Sequence, residues 1–271
     1  MADPAGSLIR HAAAAVCLSF TFAARVFAQS PLPTPIVAPT APDFLPRGSF
    51  HLSAAGLQVD NPRFTWDTHF GGEVDVVDYV FGRVNAVIDY QAILGNEFRI
   101  FDPNQGNYVL ETSASARIAG TEIAGAFHHE SRHLSDRPKR FAIAWNWLGV
   151  RVLRRIDLSG TTLEVQGSAG KIAQHSYVDY GWTSDLDVVV RRPINPRVAV
   201  YAHGTGELFG IDSSLSPRPT QKDGRVEIGV RVTGRGAAVE AFAGFERRVD
   251  SDPIDLQAQR WTFAGFRIVS R

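Results

Sequence analysis

The chain has 271 residues with 28 basic and 28 acidic side chains, giving a formal net charge of zero. No basic face marks a nucleic-acid partner, and no acidic tail marks an oppositely charged one. Of the basic residues only Lys139, Lys171 and Lys222 are lysines; the rest are arginines, which suit desolvated, paired surroundings.

The N-terminus reads as a secretory signal peptide, residues 1–28. Arg10 supplies positive charge, Ala12 to Ala24 is an apolar run too short to span a bilayer, and Val26-Phe27-Ala28 is a small-residue cleavage site. Cys17, the only cysteine, lies inside it, so the mature chain has no thiol chemistry. Residues 29–48 hold six prolines between Pro31 and Pro46 and read as an extended linker. Residues 49–271 are then one folded unit.

That unit alternates with period two. From Arg83 to Leu94, Val84, Ala86, Ile88, Tyr90 and Ala92 oppose Asn85, Asp89 and Gln91. From Tyr108 to Ile118, Tyr108, Leu110, Ala114 and Ala116 oppose Glu111, Ser113, Ser115 and Arg117. Tyr177 to Arg191, Arg197 to Leu208 and Arg225 to Thr233 repeat the pattern. These strands run to about ten to fifteen residues, against about five or six in soluble sheets and about nine to eleven for a tilted membrane-crossing strand. Trp145, Trp147, Tyr177, Tyr180, Trp182 and Trp261 lie near strand ends and are candidates for interfacial girdles.

The connections alternate between long and short. Ala119-Gly120, Ile156 to Gly160, Pro193 to Pro196 and Gly234 to Gly236 are tight; Gly95 to Asn107, Leu134 to Pro138, Gly170 to Ser176, Gly210 to Asp223 and Val249 to Leu256 are longer. That asymmetry belongs to outer-membrane barrels. The expected fold is an all-β, transmembrane antiparallel β-barrel. Ten strands follow Arg83, and Phe64 to Phe70 with Glu73 to Phe81 add two, so ten or twelve are expected and twelve is favoured. Inward charges of both signs imply a polar, largely filled lumen. The expected location is the outer membrane of a Gram-negative bacterium. The expected partners are membrane lipid and the barrel-insertion machinery; the expected state is a monomer without cofactor.

The stretch from Ala124 to Arg140 gathers His128, His129, Glu130, Ser131 and His133. His129 to His133 matches H-E-x-x-H, but zincin chemistry needs a helix. In a strand the two histidines stand about 13 Å apart and Glu130 points away. On a strand from Glu122 to His133, Ile123, Gly125, Phe127, His129, Ser131 and His133 share the lipid-facing side. A histidine two residues from a serine can serve as its general base, and a lipid-facing position suits attack on a lipid ester. His203 and Glu207 share an inward face and read as a lumen network; Asp102, Asn104 and Asn107 read as turn chemistry.

His129-Glu130-Ser131 resembles the H-x-S motif of the outer-membrane lipid A 3-O-deacylases. That resemblance implies Ser131 as nucleophile and His129 as base. Where that family has an oxyanion-hole asparagine after the serine, this chain has Arg132. Its orienting glutamate has no counterpart from Arg140 to Arg155, which leaves Asp136 as the candidate orienting acid. The longer pattern H-x-S-x-H-L-x-D (His129, Ser131, His133, Leu134, Asp136), with Asp60 to Phe64, is similar to a signature of bacterial outer-membrane proteins of comparable size; that similarity implies the barrel and no activity. The candidate functions are a structural outer-membrane barrel, a lipid esterase or deacylase at its rim, and a small-solute pore. A soluble exported β-protein is the remaining class.

Overall fold

The computed structural model describes residues 39–135, 137 and 139–270. The expected signal peptide and most of the expected proline-rich leader lie outside these residues. Twelve antiparallel strands follow: β1 (Asp43–Gln58), β2 (Trp66–Asp78), β3 (Arg83–Gly95), β4 (Asp102–Ile118), β5 (Thr121–Leu134), β6 (Ile143–Leu158), β7 (Thr161–Ser176), β8 (Tyr180–Pro193), β9 (Val198–Ile211), β10 (Gln221–Thr233), β11 (Ala237–Asp252) and β12 (Gln257–Ser270). Each pairs with its chain neighbours, and β1 pairs with β12, His51 opposite Val269, so the sheet closes. A closed barrel leaves no strand edge unpaired, the condition for crossing hydrocarbon.

One end of the barrel is made of tight turns. Ala119-Gly120 and Ser159-Gly160 are two-residue connections with φ of 49° and 74°, and of 44° and 81°. These are mirror-image turns, whose twist matches that of the flanking strands. Residues 59–65, 135–142 and 212–220 form the longer connections at the opposite, loop end.

The alternation sorts side chains outward and inward. On β10, Val226, Ile228, Val230 and Val232 are 49%, 69%, 43% and 50% exposed, while Arg225 and Glu227, on either side of Val226, are each 2% exposed. Water would penalise such a wall; hydrocarbon does not, and each covered aliphatic side chain gains about 1.5–3 kcal/mol.

Inside, the charges pair in a continuous chain. Arg231 meets Glu240 at 2.8 Å, Glu240 meets Arg267 at 2.7 Å, and Arg267 meets Glu227 at 3.0 Å. Glu227 and Glu246 flank Arg225, each at 2.9 Å; Glu246 and Asp67 flank Arg248 at 2.7 and 2.8 Å. Asp67, His69, Asp89 and His51 complete it. A second group joins Arg83 to Asp75 and Glu122. Aromatic rings pack between the charges: Arg225 lies 3.7 Å from the Phe263 ring centroid and Arg248 lies 5.1 Å from that of Trp261. The cation at each of these positions is arginine, whose planar fork serves two carboxylates at once. Lys171 and Lys222 stand exposed on the outside, and Lys139 sits in the 135–142 connection. A cavity of about 40 Å³ between Asp89, Asn107, Glu130 and Glu207 is room for a few waters.

Four expectations change. The sequence count placed two short strands at Phe64 to Phe70 and Glu73 to Phe81. One strand, β2, runs through both, and the twelfth is β1, which begins at Asp43 inside the stretch assigned to the leader. Gly71 and Gly72, which separate the two expected segments, both lie in the ladder. A Cβ at Gly71 would collide with the Ile88 backbone oxygen, so the glycine permits close approach without a turn.

Gly170 to Ser176 belongs to β7, and Asp102, Asn104 and Asn107 belong to β4, so both connections are shorter than expected. Trp145, Trp147, Tyr180 and Trp261 are each 2% exposed and point into the lumen; of the expected girdle only Tyr177 and Trp182 face out, at 45% and 43%. Bulges cause part of the error: the register slips between Tyr180 and Trp182, sending Tyr180 inward and Trp182 outward. The exposed aromatics are mostly phenylalanines, Phe50 and Phe81 toward the turn end and Phe101 and Phe141 toward the loop end.

Candidate active site

β5 splits the histidine cluster by parity. Its inward side chains are engaged with the lumen. Glu122 holds Arg83 at 2.7 Å, and His128 lies 3.1 Å from Glu111 and stacks on Trp147. Glu130 accepts from Arg132 Nε at 3.1 Å, and Arg132 also donates to the Asp250 carbonyl at 2.8 Å. Glu130 therefore points away from His129 and His133, and H-E-x-x-H has no shared metal face here. Arg132, at the position of the deacylase asparagine, is committed to the lumen.

The outward side chains meet each other. Register sets His129 of β5 opposite Asn146 of β6, and Asn146 opposite Gln174 of β7. His129 Nδ1 lies 2.6 Å from Asn146 Oδ1, and Asn146 Nδ2 donates to Gln174 Oε1 at 3.1 Å. An amide oxygen only accepts, so Nδ1 carries the imidazole proton and Nε2 presents its lone pair. Ser131 stands one outward row further toward the loop end, about 7 Å along the strand. Its hydroxyl is turned toward His133 Nε2 at 3.4 Å, and His133 sits edge-on to the Tyr108 ring at 5.2 Å.

Below this polar row Phe127, Leu148 and Val150 are 40%, 56% and 51% exposed, with Lys171 opposite Leu148. The site is thus an outer-wall band of His, Ser, Asn and Gln across three adjacent strands, just under the 135–142 connection. The band sets an amide-held histidine and a serine one row apart on the same face, residue types that serine hydrolases combine.

Ser131 and His129, expected as a pair, share the outward face of β5, but the Ser131 hydroxyl meets His133 Nε2 and the His129 ring meets Asn146. Asp136, the expected orienting acid, lies outside the described residues. Sequence reasoning misses Asn146 because the residue that orients such a histidine is ordinarily a carboxylate. Its signal was present: in Ala144, Asn146, Leu148, Val150 it is the one polar member of an apolar row. His203 and Glu207 are lumen groups as expected, His203 Nε2 lying 2.8 Å from Asp187 and Glu207 accepting from Thr183 at 2.6 Å.

No protein-family model and no curated protein matches the sequence. Solved structures do match in fold. The Salmonella typhi outer membrane phospholipase (OMPLA) dimer with bound calcium overlays with a TM-score of 0.51 at 12% identity, over 82% of this chain and 90% of that one. An active-site asparagine-to-alanine mutant of Escherichia coli outer membrane phospholipase A overlays at 0.50 and 11% identity, over 90% and 94%. LpxR from Salmonella typhimurium overlays at 0.47 and 8% identity, over 82% and 99%. The chain has the fold of the outer-membrane barrels.

Proposed function

We propose that this protein is an integral outer-membrane hydrolase that cleaves acyl esters of membrane lipids on its outer wall. Ser131 is the nucleophile, His129 the general base and Asn146 the residue that orients it. The observation carrying this reading is the 2.6 Å contact between His129 Nδ1 and Asn146 Oδ1 on the lipid-facing side, one row below Ser131. The likeness to the phospholipase fold supports it, as does an active-site asparagine in that enzyme. The loop end is then the extracellular end.

Ser131 Oγ attacks the ester carbonyl while His129 Nε2 takes its proton. The carbonyl–alcohol bond breaks, His129 returns the proton to the departing lipid alcohol, and the acyl group remains on Ser131. Water repeats the sequence and releases the fatty acid. The substrate needs no pocket through the lumen: its ester reaches Ser131 by lateral diffusion. The ion-pair chain and aromatic clusters that cross the lumen speak against a solute pore.

The test is acyl release by the purified barrel from vesicles of diacyl phospholipid and, separately, from lipid A. Either substrate should yield fatty acid with the wild type and none with Ser131→Ala. Equal release by the two proteins would reject the assignment, and the two substrates separate a phospholipase from a deacylase.

A further inference from the structure

β7 slips register once, and it does so beside the active-site row. Trp147 of β6 faces Ile172, whereas Asn146 faces Gln174, which leaves Ala173 as the extra residue of a β-bulge. Without the bulge, the strand's period of two would put Gln174 on the same side as Ile172, which is 7% exposed and part of a lumen cluster with Trp145 and Trp147. With it, Gln174 stands outside and directly opposite Asn146. Bulges next to active sites commonly re-aim one side chain in this way.

What Gln174 does there follows from the asymmetry of an amide. Asn146 serves His129 only with its oxygen forward; flipped, its NH₂ would face Nδ1 and force the other imidazole tautomer, leaving Nε2 protonated and unable to accept from Ser131. A carboxylate has two equivalent oxygens and needs no such control. An amide does, and the Gln174 Oε1 acceptor, 3.1 Å from Asn146 Nδ2, supplies it. We propose that Gln174 is a positioning residue that locks the Asn146 amide, and through it the His129 tautomer, and that the β7 bulge exists to deliver it.

The inference rests on the hydrolase reading for its consequence but has a readout of its own. Side-chain ¹⁵N NMR of the detergent-solubilised barrel, with His129 assigned by its loss in His129→Gln, reports the tautomer directly. The wild type should show Nδ1 protonated and Nε2 unprotonated. Asn146→Ala and Gln174→Leu should each mix the two forms, while Gln174→Glu, which keeps an acceptor, should retain most of the wild-type form. A shift in Asn146→Ala with none in Gln174→Leu would overturn the proposal, as would no shift in either.

On a hydrolysed lipid, Gln174→Leu should lower kcat about three- to tenfold, the scale of one hydrogen bond, with KM unchanged. In an Asn146→Ala background the same change should cost nothing, and an undiminished additional loss there would count against a role through Asn146. Failure of the wild type to release acyl chains would sink the hydrolase assignment while the NMR result still decides Gln174.

Discussion

The barrel holds histidines in two settings and supports them by opposite means. In the lumen His69 lies between Asp67 and Asp89, at 3.1 and 2.9 Å, and His51 and His203 face Asp89 and Asp187. Those carboxylates belong to ion-pair chains, as Asp67 does through Arg248. On the outer wall His129 faces a neutral amide, and that amide faces another. The difference follows from the surroundings. Inside, arginines and histidines face the carboxylates; toward hydrocarbon a bare charge carries a desolvation cost that grows with depth. An amide holds the imidazole tautomer without charge, but only if something fixes which way it points.

The strongest separation of the two regions comes from Ser131→Ala. Lipid hydrolysis should fall by about a thousandfold or more, while unfolding from detergent micelles shifts by no more than about 0.5 kcal/mol, because Ser131 touches nothing in the lumen. Glu227→Leu should do the reverse. It strips a buried carboxylate from Arg225 and Arg267 and should cost about 3–5 kcal/mol in denaturant unfolding, with the His129–Asn146 contact intact.

Asn146→Ala should lower the hydrolysis rate by about 10- to 100-fold with little change in stability. Asn146→Asp is the sharper variant: it keeps an acceptor, so the rate should exceed that of Asn146→Ala, while stability falls by up to about 1 kcal/mol for a charge near the rim. A gain in both rate and stability would break the contrast between lumen and wall. The smallest effect is expected far from both regions. Gly120→Ala at the turn end, where φ is 74°, should cost roughly 1 kcal/mol with hydrolysis unchanged.

Much of this was legible in the residues because a barrel writes its parity into every strand. Val226 to Val232 and Ile123 to Phe127 declare the outside, and Arg225 and Glu111 the inside. Parity failed where bulges reset it: Tyr180 and Gln174 each sit on the side that plain alternation denies them. It also failed for Trp145 and Trp147. Aromatic residues suggest an interface, but these rings fill lumen space between charges. Gly71-Gly72 fell outside both expected segments, yet close packing within a strand asks for glycine there. At the site, Ser131 and His129 were readable as a spacing on one strand. Asn146 and Gln174 were not, since their meeting depends on register between three strands and on one extra residue in β7.

The scarcity of lysine has a practical corollary. Arginine guanidinium groups ignore amine-directed esters, so side-chain acylation of the folded barrel is confined to Lys139, Lys171 and Lys222. All three lie in the half that carries Ser131. A membrane-impermeant biotin ester applied to intact cells would therefore report which way the molecule is threaded, with no tag added.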